Sequence, residues 1–171
     1  MQSRARSLGH AIHPMLIVFP LGLLATAVLF DIIQLFTHQD GFTVASAYMI
    51  AAGVIGGLVA AAFGFLDWLA IPAGSRAKRI GIMHGGGNVV VVVLFALSWL
   101  LRLGAPSFRP GIAALLLEFV AVALVGVTGW LGGELVERLG VGVDEGANVD
   151  APSSLSGPVT GTAGRSRVPA K

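Results

Sequence analysis

The chain of 171 residues contains no cysteine, which excludes disulfides, thiolate catalysis, iron–sulfur clusters and cysteine-type zinc sites. Charged residues are also scarce: they make up 12% of the chain, whereas 55% of the residues are hydrophobic and the mean hydropathy is +0.84. This composition lies far outside that of soluble domains. The few ionisable residues inside apolar segments are therefore the candidates for function.

Four long apolar runs contain most of the hydrophobic residues. Each approaches the roughly 20 residues that a helix needs to cross about 30 Å of hydrocarbon. The predicted spans cover about residues 14–36, 43–69, 80–103 and 110–133. We therefore predict an all-α fold, an up-down four-helix transmembrane bundle, within a domain of residues 1–142.

The two ends of the chain differ from the spans. Residues 143–171 are rich in Gly, Pro, Ser, Thr and Ala and lack aromatic residues. Such a segment buries too little surface to offset chain entropy, so we predict a disordered cytoplasmic tail.

At the other end, Arg4 and Arg6 before an apolar run also fit a signal peptide. The run continues to Phe36, and this length favours a first span.

The basic residues indicate an orientation. Two of them, Arg102 and Arg109, fall on one predicted side of the membrane, and nine fall on the other: Arg4, Arg6, Arg76, Lys78, Arg79, Arg138, Arg165, Arg167 and Lys171. By the positive-inside rule, both termini lie in the cytoplasm. Although the sequence pI is about 9.7, basic residues at helix ends serve topology, and we expect no nucleic-acid partner.

Most polar residues of the spans gather at one depth of the predicted bundle, near the cytoplasmic ends: His10, His13, Asp67, His84, Asn88 and Glu134. His84 and Asn88 are four residues apart and share a helix face. Two further carboxylates, Asp31 and Glu118, fall in the outer half. Asp31 lies about 27 Å from His13 by helix rise. The sequence alone assigns no role to these two.

Glycine is concentrated at the depth of the histidines, at Gly64, Gly85–Gly87, Gly132 and Gly133. Small side chains on a span allow close helix packing, and they also leave room for a flat group. The sequence shows no internal repeat strong enough to indicate an inverted-repeat transporter.

Four motifs in this order resemble one family, and they lie within about residues 10–143: His13-Pro14-Met15-Leu16 with Phe19-Pro20-Leu21-Gly22-Leu23, Gly64-Phe65-Leu66-Asp67-Trp68, His84 with Asn88, and Gly129-Trp130-Leu131-Gly132-Gly133-Glu134-Leu135-Val136. The family is a group of bacterial four-helix predicted membrane proteins of unknown function. Some relatives are fused to Rieske-type domains, so the resemblance implies the bacterial inner membrane and a setting of electron transfer. Where relatives carry an aromatic residue and often a histidine, this chain has Glu137 and Leu139.

Three functions remain open. In the first, the protein is a b-type haem or related redox protein, with axial ligands His13 and His84 on diagonal spans. Asn88 lies beside His84, and the propionates pair with Arg76 and Arg79.

In the second, a divalent metal ion is bound by His13, Asp67, His84 and Glu134. In the third, the protein is a scaffold or accessory subunit, and its polar cluster only fixes helix register. The expected partners are the lipid bilayer, a redox protein and a second copy of the chain in a homo-oligomer.

Overall fold

A computed structural model describes residues 2–156 of the chain. It contains four apolar helical segments that are long enough to cross a membrane: Ile12–Thr37, Asp40–Ala70, Arg76–Arg102 and Pro106–Arg138. Consecutive segments run in opposite directions and pack against each other. The predicted all-α four-helix bundle is therefore confirmed.

The first span consists of two helices, α1 (Ile12–Leu16) and α2 (Val18–Thr37). The break between them lies just before Pro20, which has no N–H to donate to the carbonyl of Leu16. The later spans are built on α3 (Asp40–Ala70), α4 (Arg76–Arg102) and α5 (Ile112–Gly133). A 3₁₀ turn at Pro106–Phe108 precedes α5, and a π-helical turn at Glu134–Arg138 follows it.

The segment before the first span forms a short antiparallel hairpin of β1 (Arg6–Ser7) and β2 (His10–Ala11). Arg6 pairs with Asp144 at 2.8 Å, so the N-terminal hairpin contacts the chain beyond the last span. Residues 143–156 contain turns and one 3₁₀ turn at Ser154–Ser156. The rest of the predicted tail, residues 157–171, lies outside the described residues, and its disorder stays a prediction.

The bundle has two different ends. We call the end with residue 12, the 71–75 connection and residue 133 the terminal end, and the end with the 38–39 and 103–111 connections the hairpin end. An apolar core fills the middle, formed by Leu24, Ala27, Val28, Ile50, Val91, Phe95 and Ala121. Many large apolar side chains point outward, as contact with lipid requires.

The two helical hairpins, α2 with α3 and α4 with α5, repeat one packing pattern. The four buried residues of α4 each lie 71 residues after a buried residue of α2, in the pairs Pro20 and Val91, Leu24 and Phe95, Ala27 and Ser98, and Asp31 and Arg102. An offset of 68 residues likewise links buried positions of α3 and α5: Ser46 and Ala114, Ile50 and Glu118, Gly53 and Ala121, and Ala60 and Thr128. Both hairpins begin at the terminal end, so the repeat is parallel rather than inverted. The repeat is hard to recognise in the sequence because these equivalent buried positions hold different residue types.

Candidate functional site

Two histidine rings from diagonal spans lie close together near the terminal end. The Nδ1 atom of His13 lies 2.9 Å from the carbonyl oxygen of Ala60, and the Nδ1 atom of His84 lies 2.8 Å from that of Thr128. A carbonyl oxygen only accepts hydrogen bonds, so each Nδ1 carries the proton and donates it. In the neutral form of either ring, Nε2 therefore holds the lone pair, which is the state of a ligating histidine.

The ring centroids lie 6.4 Å apart, and the ring planes meet at 90° in an edge-on arrangement. Two glycines make room for them. A Cβ atom on Gly64 would lie 2.9 Å from the ring of His13, and one on Gly132 would lie 3.0 Å from the ring of His84. These two contacts are equivalent in the repeat, because each histidine lies over a glycine that follows its carbonyl acceptor by four residues. We call His13, His84 and these two glycines the histidine pair.

Asn88 holds the ring of His84 in position through a side-chain hydrogen bond. Its Nδ2 atom donates to Nε2 of His84 at 3.2 Å, and its Oδ1 atom accepts from the hydroxyl of Thr128 at 2.9 Å. Thr128 thus holds His84 directly through its carbonyl and indirectly through Asn88. Sequence analysis placed Asn88 beside His84, and the structure brings these two residues together with His13.

The other predicted site residues lie apart from the histidine pair. Asp67 accepts from the hydroxyl of Ser3 at 2.6 Å and from the backbone N–H of Arg4 at 2.9 Å, so it anchors the N-terminal segment. Glu134 pairs with Arg76 at 2.5 Å, and the remaining predicted residue, Arg79, is exposed.

The predicted four-residue metal site therefore lacks its two carboxylates. Within residues 2–156, no group of three or more His, Asp or Glu side chains is arranged to hold a metal ion. The structure brings together the histidines His13 and His84, and it leaves Asp67 and Glu134 with other partners.

A second polar cluster lies near the hairpin end, and it is fully buried. Arg102 donates from Nη1 to Oδ1 of Asp31 at 3.1 Å and from Nη2 to Oδ2 at 2.5 Å, and Nη2 also donates to Oε1 of Glu118. The three side chains are 0–1% exposed. Ser46 donates to Asp31 at 2.7 Å, and Ser98 donates to Glu118. We call these five residues the charge network; all four spans contribute to it.

Both clusters lie within the part of the chain that matches the model of one protein family. Residues 9–145 match the model of a family described as Predicted membrane protein (DUF2231). The chain belongs to this family. The match includes the four motifs on which the resemblance was based, and that prediction is confirmed. No curated protein and no solved structure matches the chain.

In this DUF2231 chain, the most important residue that sequence analysis misread is Arg102. Sequence analysis uses it only as a topology signal at the end of the third predicted span, whereas its side chain is buried against two carboxylates. A simple signal was available: Arg102 follows His84 by 18 residues, as Asp31 follows His13. Equal helix rise puts Arg102 at the depth of Asp31, and a carboxylate inside a span needs such a partner.

Proposed function

We propose that this DUF2231 protein is a membrane redox protein in which His13 and His84 are the axial ligands of one haem iron. The observation that carries the proposal is the pair of Nδ1–carbonyl hydrogen bonds, 2.9 and 2.8 Å long. They hold both rings in the tautomer that presents Nε2, and such backbone partners are typical of ligating histidines. A haem bound here would supply one-electron transfer.

The spacing of the rings supports a shared centre. Two imidazoles that bind one metal ion through facing Nε2 atoms, with metal–nitrogen bonds of about 2 Å, place their ring centroids about 6 Å apart. The observed separation is 6.4 Å. Haem iron needs only two protein ligands, whereas zinc takes three or four. The two-histidine geometry therefore favours haem over a divalent ion.

The packing of the bundle supports a place for the macrocycle. Among neighbouring spans, α2 and α5 make the fewest contacts, so the seam between them is the least tightly closed. Gly85 and Gly86 directly follow His84 and are exposed, so they place no side chain over the outer surface of α4 beside this ring. For His84 to hold the iron, Nε2 would have to give up its 3.2 Å hydrogen bond from Asn88, which is one local change.

Substitution of the two histidines tests the proposal. We expect His13→Ala and His84→Ala each to lose most of the bound haem, and the double variant to lose no more, because one axial ligand does not retain the iron in the six-coordinate state. Haem per chain is measured by absorption of the detergent-purified protein. His10→Ala and His38→Ala, at exposed positions, are matched controls and should retain it.

Asp67→Ala separates the haem from the metal-ion alternative. Asp67 contacts the N-terminal segment rather than either histidine, so this variant should retain haem. Equal losses in Asp67→Ala and His13→Ala would instead support the divalent metal site. Full haem content in both histidine variants would contradict the proposal.

We also propose that both termini face the cytoplasm of a bacterial inner membrane. With Arg102 buried, Arg109 is the one Arg or Lys in the two connections at the hairpin end. The difference in basic residues between the two ends is therefore larger than the sequence count indicated, which favours a cytoplasmic terminal end by the positive-inside rule. Reporter fusions after residue 40 or 106 should report the outer side, and fusions after residue 75 or 145 the cytoplasm. A cytoplasmic signal from residue 40 would contradict this orientation.

A further inference from the structure

The charge network contains two carboxyl groups and one guanidinium, and none of them reaches solvent. With both carboxyls ionised, the network would carry a net charge of −1 inside the membrane domain, where an uncompensated charge is costly. α2 contributes Asp31 and α5 contributes Glu118, whereas α4 contributes the cation Arg102. The part of α3 that faces the network contributes only the neutral Ser46.

Among residues 2–156, no other Arg or Lys near the hairpin end balances this charge. Arg109 pairs with Asp40 at 2.6 Å, and both side chains are about half exposed. That pair is neutral as a unit and is solvated. A single proton bound within the charge network makes it neutral as well.

The hydrogen bonds show which carboxyl binds the proton. Asp31 accepts from Arg102 at both oxygens and from Ser46 at one of them, so neither of its oxygens is free. In Glu118, both observed donors, Arg102 and Ser98, bond to Oε1. The other oxygen, Oε2, is buried and has no hydrogen-bond partner among the described residues. It is the free position for a proton.

We infer that Glu118 is a proton-binding site within the membrane domain, occupied at neutral pH. The apolar core separates this site from the histidine pair. Along α5, Glu118 precedes Gly132, which lies against the ring of His84, by 14 residues, or about 21 Å of helix rise. The inference does not depend on the presence of haem.

Infrared spectroscopy of the full-length protein in lipid tests whether the network binds a proton. A protonated carboxylic acid has a carbonyl stretching band that carboxylates lack. We expect this band in the wild-type protein at neutral pH, and we expect it to disappear in Glu118→Gln, where Arg102 and Asp31 balance each other. Glu137→Gln, the same change at an exposed position, should leave the band unchanged. Absence of the band from the wild type, or its persistence in Glu118→Gln, would overturn the inference.

Two neutralising variants locate the proton. Glutamine has the shape of a protonated Glu118, so Glu118→Gln should fold with a thermal midpoint close to that of the wild type. Asp31→Asn removes the carboxylate that accepts from both Nη atoms of Arg102. Even with Glu118 ionised in its place, Arg102 keeps a carboxylate bond only to Oε1 of Glu118, so the midpoint should fall below that of Glu118→Gln. The reverse order, with Asp31→Asn tolerated and Glu118→Gln unstable or absent from the membrane, would place the proton on Asp31 and contradict the assignment.

Discussion

Replacing Arg102 with methionine should prevent folded protein from accumulating in the membrane. The change removes the cation of the charge network and leaves Asp31 and Glu118 buried without it. Breaking a buried ion pair costs about 3–5 kcal/mol, which is a large part of the roughly 5–15 kcal/mol that stabilises a typical domain. The monodisperse fraction of detergent-extracted protein and its thermal midpoint measure the effect.

Arg109→Met is the matched control. Arg109 also pairs with a carboxylate, Asp40, but both side chains are about half exposed, and such pairs contribute about 0–1 kcal/mol. A triple variant that combines Arg102→Met with Asp31→Asn and Glu118→Gln should recover much of the folded protein, because no charge then remains buried. If Arg102→Met accumulated as well as Arg109→Met, the charge network would not stabilise the bundle as we describe.

The second large effect is expected from Gly64→Val. A Cβ atom at Gly64 would lie 2.9 Å from the ring of His13, so the ring must leave its position and lose its alignment with His84. Overpacking of this kind costs about 1–3 kcal/mol. Haem content should fall as far as in His13→Ala, because a displaced ring no longer reaches the iron. Absorption per chain and the thermal midpoint measure the two consequences.

Gly126→Val is the matched control, since a Cβ atom at Gly126 meets nothing within 4 Å and glycine inside a helix is itself unfavourable by about 0.5–1 kcal/mol. It should leave haem content and stability nearly unchanged. In a His13→Ala background, Gly64→Val should cost less stability than in the wild type, because the ring that it would contact is gone. Equal effects of the two valine substitutions in the wild type would show that Gly64 does not shape the histidine pair.

Much of the fold was predictable because hydropathy and chain length determine which segments can span a bilayer. Helix rise then placed His13 and His84 at one depth, where the structure has them. Depth does not determine how each helix is rotated about its axis. Asp67 and Glu134 have the expected depth, but they contact the N-terminal segment and Arg76 instead of the histidines.

The charge network was harder to predict for a different reason. Arg102 is the last residue of α4, and a basic residue at a helix end is usually a topology signal. The spacing from His84 gives the depth of Arg102, but the packing of all four spans is needed to show that it points inward to Asp31 and Glu118. The parallel repeat was obscured in the same way, because equivalent buried positions hold residues of opposite or unrelated character, such as Asp31 and Arg102.

The haem content of purified wild-type protein tests the proposed function most directly. The protein should be produced in cells supplied with haem and metals, extracted in mild detergent, and examined by absorption spectroscopy and metal analysis. We predict about one haem per chain, with the spectrum of iron bound by two histidines, and its loss in His84→Ala. Colourless, metal-free wild-type protein from the same cells would contradict the proposal and support a structural role for the histidine pair.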